Sequence, residues 1–213
     1  MEEKIVSDNF SLFPLFAFVA KDPTLPPLLS KKEKKKSTPY KEAVVDLLEK
    51  AGVPREAGWY VWGKFNDAGF WEPIYIGKAS KGKTSNLFAR LQKELQAECV
   101  AIFATVYGRY WATAAAKKLF KDKVKKMGGP DFSGNIERSL RKTDTHFIMW
   151  ARASEGMTPT DISRVENVLI SVFRPGFNMR RPRIEGTRYY EDLKVGPYII
   201  ALENEIGRIV GEK

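Results

Sequence analysis

The chain is short of the residues that build the commonest reactive centres. Its 213 residues include one cysteine, Cys99, and one histidine, His146. A lone cysteine excludes an intramolecular disulfide and fits a reducing compartment, and one cysteine with one histidine cannot assemble a zinc centre of the ordinary Cys/His type. Cysteine–histidine nucleophilic chemistry is equally unsupported, because a reactive thiolate needs a specific charged neighbour and nothing in the sequence brings these two together. Long apolar runs are missing as well. The one candidate, Phe10 to Ala20, is too short to span a bilayer and is broken by Pro14. The Met-Glu-Glu-Lys start lacks the basic character of a secretory signal. These features set the expectation of a cytoplasmic protein in which the 10–20 stretch packs on a soluble core.

Positive charge is abundant. The 36 lysines and arginines exceed the 26 acidic residues, giving a net charge of +10. Such a surplus favours a polyanionic partner, nucleic acid being the default, although solubility alone explains it equally well.

Residues 1–57 read as an N-terminal arm, a basic linker and a lead-in helix. Pro14, Pro23, Pro26 and Pro27 argue for short or irregular elements in the arm, and Lys31 to Lys36 form a dense basic run. From Pro39 to Lys50, Ala43, Val44, Leu47 and Leu48 recur at helical spacing, and Gly52 and Pro54 close the segment. Gly58 to Phe65 and Pro73 to Lys78 carry the aromatic and β-branched residues of strands. The Asn66-Asp67-Ala68-Gly69 turn between them predicts an antiparallel hairpin.

Thr84 or Ser85 is placed to cap a helix running to about Glu98, with Leu87, Leu91 and Leu95 as its apolar stripe. A Lys-rich helical insertion occupies about 99–144. Its Lys117, Lys121 and Lys125 form a row that follows a phosphate backbone or simply faces solvent. Thr145 to Arg152 predicts a third strand, and Thr158, Pro159 and Asp161 carry the signals that start a helix ending near Phe173, before Pro175. Residues 179–213 form a C-terminal extension that opens with Arg180, Arg181, Arg183 and Arg188 and closes with the apolar stretch Val195 to Ile209.

The hairpin carries the most specific signal. Gly58-Trp59-Tyr60 and Tyr75-Ile76-Gly77 resemble the two half-motifs that name the GIY-YIG nucleases. Arg90, Glu166, Phe173, Pro175 and Asn178 follow in the order of that family's remaining landmarks, so the resemblance covers about residues 58–178. It implies an α+β fold with a small mixed or antiparallel sheet of about three strands flanked by helices, and a divalent-metal-dependent endonuclease acting on double-stranded DNA. In that reading Tyr60 is the general base, Tyr75 orients the nucleophile, Arg90 stabilises the transition state, Glu166 holds a single Mg²⁺ or Mn²⁺, and Asn178 closes the site. A phenol is a poor base at neutral pH, so Tyr60 needs a helper such as Lys78 or metal-bound water; Lys78 as a plain phosphate contact is the alternative.

Two of these residues also stand on physical grounds. Glu166 shares a helix face with Ile162 and Ile170, where a carboxylate is costly unless paired or metal-bound. Arg90 flanks the leucine stripe, so its stem is covered while its planar guanidinium reaches outward; an i,i+4 pair with Glu94 is the plainer alternative. Glu94 stands where relatives often carry histidine, which leaves that histidine's task unassigned. His146 falls in phase with Ile148 and Trp150, as a core or rim side chain.

The compact size and basic extensions fit a site-specific restriction enzyme, with a non-specific or repair nuclease and a non-catalytic nucleic-acid-binding module as alternatives. A homodimer would match a palindromic target. Lys117, Lys121, Lys125, Arg180, Arg181 and Arg183 are the expected nucleic-acid contacts.

Overall fold

The computed structural model describes residues 5–15, 39–66, 68–80, 85–95, 145–176, 178 and 188–211. The basic run at 31–36, the segment 96–144 with Cys99, Lys117, Lys121 and Lys125, and Arg180, Arg181 and Arg183 lie outside the described residues.

Four strands form one antiparallel sheet: β1 (Ser7–Ser11), β2 (Gly58–Phe65), β3 (Trp71–Ala79) and β4 (Phe147–Arg152), in the spatial order β1-β4-β2-β3. The expected sheet of three is therefore incomplete. The added strand is β1, whose Ser-Asp-Asn-Phe-Ser sequence has no strand-like apolar alternation because Ser7 and Asn9 pack against a carboxylate. Ser7 Oγ and Asn9 Nδ2 donate to the two oxygens of the buried Glu205, at 2.7 and 3.1 Å.

Four α-helices cover the sheet among the described residues: α1 (Pro39–Lys50), α2 (Leu87–Leu95), α3 (Pro159–Phe173) and α4 (Gly196–Gly211). One face packs Tyr60, Trp62, Ile148 and Trp150 against Val44 and Leu48 of α1 and Leu87, Leu91 and Leu95 of α2; Phe10, Leu12 and Leu15 of the arm join this cluster. The opposite face packs Trp59, Val61, Ile76, Met149 and Ala151 against Ile162, Val165 and Leu169 of α3 and Ile199 and Leu202 of α4. The apolar stretch at the C-terminal end is thus helical and contributes to this second layer. Among the described residues no helix is long and apolar enough to cross a membrane.

Local sequence accounts for the helix ends. Thr158 and Asp161 form a reciprocal capping box at α3, with Pro159 in the first turn, and Arg174 closes the helix in a left-handed conformation at φ 50°. Asn86, and not Ser85, caps α2: its Oδ1 accepts from the Ala89 amide at 2.8 Å; Thr84, the other expected cap, lies outside the described residues. Removing the α3 cap by Thr158→Ala costs about 1 kcal/mol of stability. A lowered denaturant midpoint with an unchanged m-value is the expected result, and an unchanged midpoint contradicts this role for the cap.

Candidate active site

The hairpin register decides which side chains meet. Tyr60 lies opposite Gly77 and Trp62 opposite Tyr75, so the two tyrosines project from the same face, with ring centroids 6.2 Å apart. Both motif glycines are demanded by close approach. A Cβ on Gly77 would stand 2.3 Å from Cζ and Oη of Tyr60, so the ring lies directly over the glycine. A Cβ on Gly58 would meet the Ala151 carbonyl oxygen at 2.2 Å and Leu87 Cδ1 at 2.6 Å.

Below the tyrosines, α2 supplies a charged pair. The buried Tyr60 hydroxyl donates to Glu94 Oε1 at 2.6 Å, and Arg90 Nε lies 2.8 Å from that same oxygen and donates to the Tyr60 oxygen at 3.3 Å. Arg90 is the exposed member of the trio, its side chain 41% accessible against 3% for Glu94. Burial pushes the Tyr60 phenol well above its ordinary pKa and the Glu94 carboxylate adds to the effect, with Arg90 opposing both. Tyr75 is pushed up to about 12, first by burial and then by Glu94 and Glu166, against the pull of Arg90. Glu94 itself is raised by burial, with Arg90 and the Tyr60 hydrogen bond pulling it back.

The second half of the site comes from the opposite layer. Because side chains alternate along β3, Lys78 points away from Tyr60 toward α3, where its ammonium donates to Ser163 Oγ at 2.7 Å and lies 3.0 Å from Glu166 Oε2. Lys78, expected as the helper of Tyr60, thus lies on the opposite face of the sheet, and the hydrogen-bond partner of the Tyr60 hydroxyl is Glu94. Glu166, half-buried between Ile162 and Ile170, pairs with Lys78. Asn178 clips the outer edge of β3: its Nδ2 donates to the Ile76 carbonyl at 2.8 Å and its Oδ1 accepts from the Ile76 amide at 2.9 Å. This satisfies an edge strand's free backbone groups and fixes the strand next to Tyr75.

Tyr75 joins the halves. Its phenol pKa is held up chiefly by burial, with the carboxylates of Glu94 and Glu166 adding to the effect and Arg90 opposing it. Arg90 on the α2 side and Glu166 on the α3 side thus flank the edge strand β3, which carries Tyr75 and Lys78.

His146 lies on the rim just before β4, its ring stacked on Phe13 at 5.3 Å. Among the described residues there is no cluster of three or more His, Cys, Asp or Glu placed to hold an ion. Glu166, the residue expected to hold an ion, contacts Lys78 through Oε2. One carboxylate oxygen with waters completing the shell suits a hard ion such as Mg²⁺.

Glu94 is the site residue whose role the sequence left open. The signal was present, since it follows Leu91 by three positions and so shares the apolar stripe, the same criterion that singles out Glu166. No family model, curated protein or solved structure matches the chain.

Gly77→Ala forces the Tyr60 ring from its place and destabilises the protein by about 1–3 kcal/mol, as overpacked cores do; thermal melting with near-UV circular dichroism reads both effects, and a parent-like melt and spectrum contradict the close packing. A second expectation follows from the sign of the Glu94 shift. A carboxyl whose folded pKa is raised contributes stability at low pH that is lost as pH rises through the folded value. Lowering the pH from neutral through that value therefore stabilises the parent relative to Glu94→Gln, and a stability difference independent of pH contradicts it.

Proposed function

We propose that this chain is a divalent-metal-dependent DNA endonuclease of the GIY-YIG type, acting on specific sites in double-stranded DNA as restriction enzymes do. What supports the reading is the placement of the residues that the motif resemblance picks out around the edge strand β3, with Tyr75 on the strand, Arg90 bonded to Tyr60 on one side and Glu166 paired to Lys78 on the other. The net charge of +10 supports a polyanionic substrate.

Arg90 is exposed enough to bind a phosphate and carries a planar, permanently charged group suited to the charge that develops on a pentavalent phosphorus. Tyr75 holds its proton at neutral pH, so it donates a hydrogen bond and orients the attacking water. Glu166 Oε1 is the ligand for Mg²⁺ or Mn²⁺, and an ion bound there supplies further neutralisation of phosphate charge. Lys78 holds the Glu166 carboxylate in place and stands next to the same phosphate. Tyr60 takes the proton of the attacking water. Lys117, Lys121, Lys125, Arg180, Arg181 and Arg183 supply the remaining phosphate contacts.

With Mg²⁺ and duplex DNA, Arg90→Ala lowers the cleavage rate by about 100- to 1,000-fold, the loss typical of one preorganised transition-state donor. Glu166→Ala abolishes the metal-stimulated rate. Parent-like cutting by either variant contradicts the mechanism, and salt-sensitive DNA binding by a parent that never cuts makes the chain a binding module.

A further inference from the structure

A carboxylate buried in an apolar layer lowers stability unless it is well paired, and an apolar residue of similar size commonly serves the fold as well or better. Glu94 is 2% exposed on the leucine side of α2. Its Oε2 is buried without a hydrogen-bond partner. Its Oε1 is joined to Tyr60 by the shortest hydrogen bond of the site, 2.6 Å, with the Tyr60 hydroxyl as donor. The groups facing it are Tyr60 from β2, Tyr75 from β3, and Arg90 and Lys93 from its own helix, while α1 brings Val44 and Leu48 to the same cluster.

We propose that Glu94 is the terminal proton acceptor of the site, receiving the Tyr60 proton along the Tyr60 Oη–Glu94 Oε1 hydrogen bond while the Tyr60 oxygen takes a proton from the attacking water. This rests on the nuclease reading and assigns the proton's destination within it. In the step, one water O–H bond breaks and its proton goes to the Tyr60 oxygen. The Tyr60 proton passes to Glu94 Oε1, and the hydroxide so formed makes the new P–O bond. The bond from phosphorus to the leaving ester oxygen breaks, that oxygen takes a proton from solvent, and Glu94 later returns its own proton to solvent.

The physical warrant is charge. A tyrosine acting alone would become a phenolate inside a buried layer beside a carboxylate, which burial and repulsion both oppose. In the coupled transfer the phenol is neutral before and after, and the negative charge moves from Glu94 to the nucleophile. Arg90 connects this to substrate. Drawn onto a phosphate, its guanidinium uncovers the Tyr60 hydroxyl and withdraws the cation that favours ionised Glu94. The carboxylate therefore becomes a stronger base when DNA is in place. Glu94 acts through Tyr60 and is in that sense a positioning and proton-accepting residue, not one that touches DNA.

The test is Glu94→Gln, which keeps the shape and an acceptor for the Tyr60 hydroxyl but takes no proton. On duplex DNA with Mg²⁺ its cleavage rate falls about 100-fold or more, the size of general-base contributions, with unchanged DNA affinity. The parent loses rate as pH is lowered through the Glu94 ionisation, an acid limb absent from the residual rate of Glu94→Gln and partly restored, with the rate, in Glu94→Asp. Parent-like cutting by a folded Glu94→Gln, with the same acid limb, overturns the role of Glu94 and leaves the nuclease reading standing. A parent that cuts nothing with Mg²⁺ or Mn²⁺ overturns the nuclease reading itself. If Glu94→Gln does not fold, the parent decides: a cleavage rate without an acid limb overturns the proposal.

Discussion

Burial of β2 on both faces is the constraint from which the rest of the arrangement follows. Trp59 and Val61 are buried under α3 and α4 while Tyr60 and Trp62 are buried under α1 and α2, and the Tyr60 hydroxyl meets the surface through the partly exposed Arg90 that bonds to it. Polar chemistry is displaced to the end of the sheet, where β3 has a neighbour on one side only and the α2 and α3 layers approach each other around it. The alternation of side chains along β3 divides the labour: Tyr75 and Gly77 turn to the α2 side and Ile76 and Lys78 to the α3 side. A site with Arg90 and Glu94 on one flank and Glu166 on the other is the outcome of that geometry.

Electrostatic placement then separates two tyrosines that the motif treats alike. Tyr60 is locked between a glycine below and a carboxylate–arginine pair at its hydroxyl, and Tyr75 stands at the junction of both flanks. Glu166 and Glu94 are likewise two carboxylates on apolar helix faces, one bound by a lysine and one bound by a phenol and an arginine.

Much of this was legible in the sequence, for identifiable reasons. The helix Pro39–Lys50, the strand Gly58–Phe65 and the capping box of α3 coincide with strong local signals: apolar periodicity, aromatic and β-branched runs, and the Thr158-Pro159-Asp161 start. Strand β1 was not legible, because its inward residues Ser7 and Asn9 are polar and satisfied only by Glu205, 198 and 196 residues away. Helix α4 was recognised only as an apolar stretch, although its buried Tyr198, Leu202, Glu205 and Ile209 recur at helical spacing; the carboxylate on that face, Glu205, finds its partners only in the distant β1. At the site, the motif residues and their order were readable, but the side of the sheet on which Lys78 would fall depended on the hairpin register. The register, once known, moves it from Tyr60 to Glu166.

Metal-dependent hydrolysis of DNA by this chain is tested by digestion of a supercoiled plasmid of known sequence. Incubated with Mg²⁺, the protein is expected to convert the plasmid to a fixed set of linear fragments and to leave it intact when the metal is chelated. A plasmid that is bound yet uncut with Mg²⁺ and with Mn²⁺ contradicts the account.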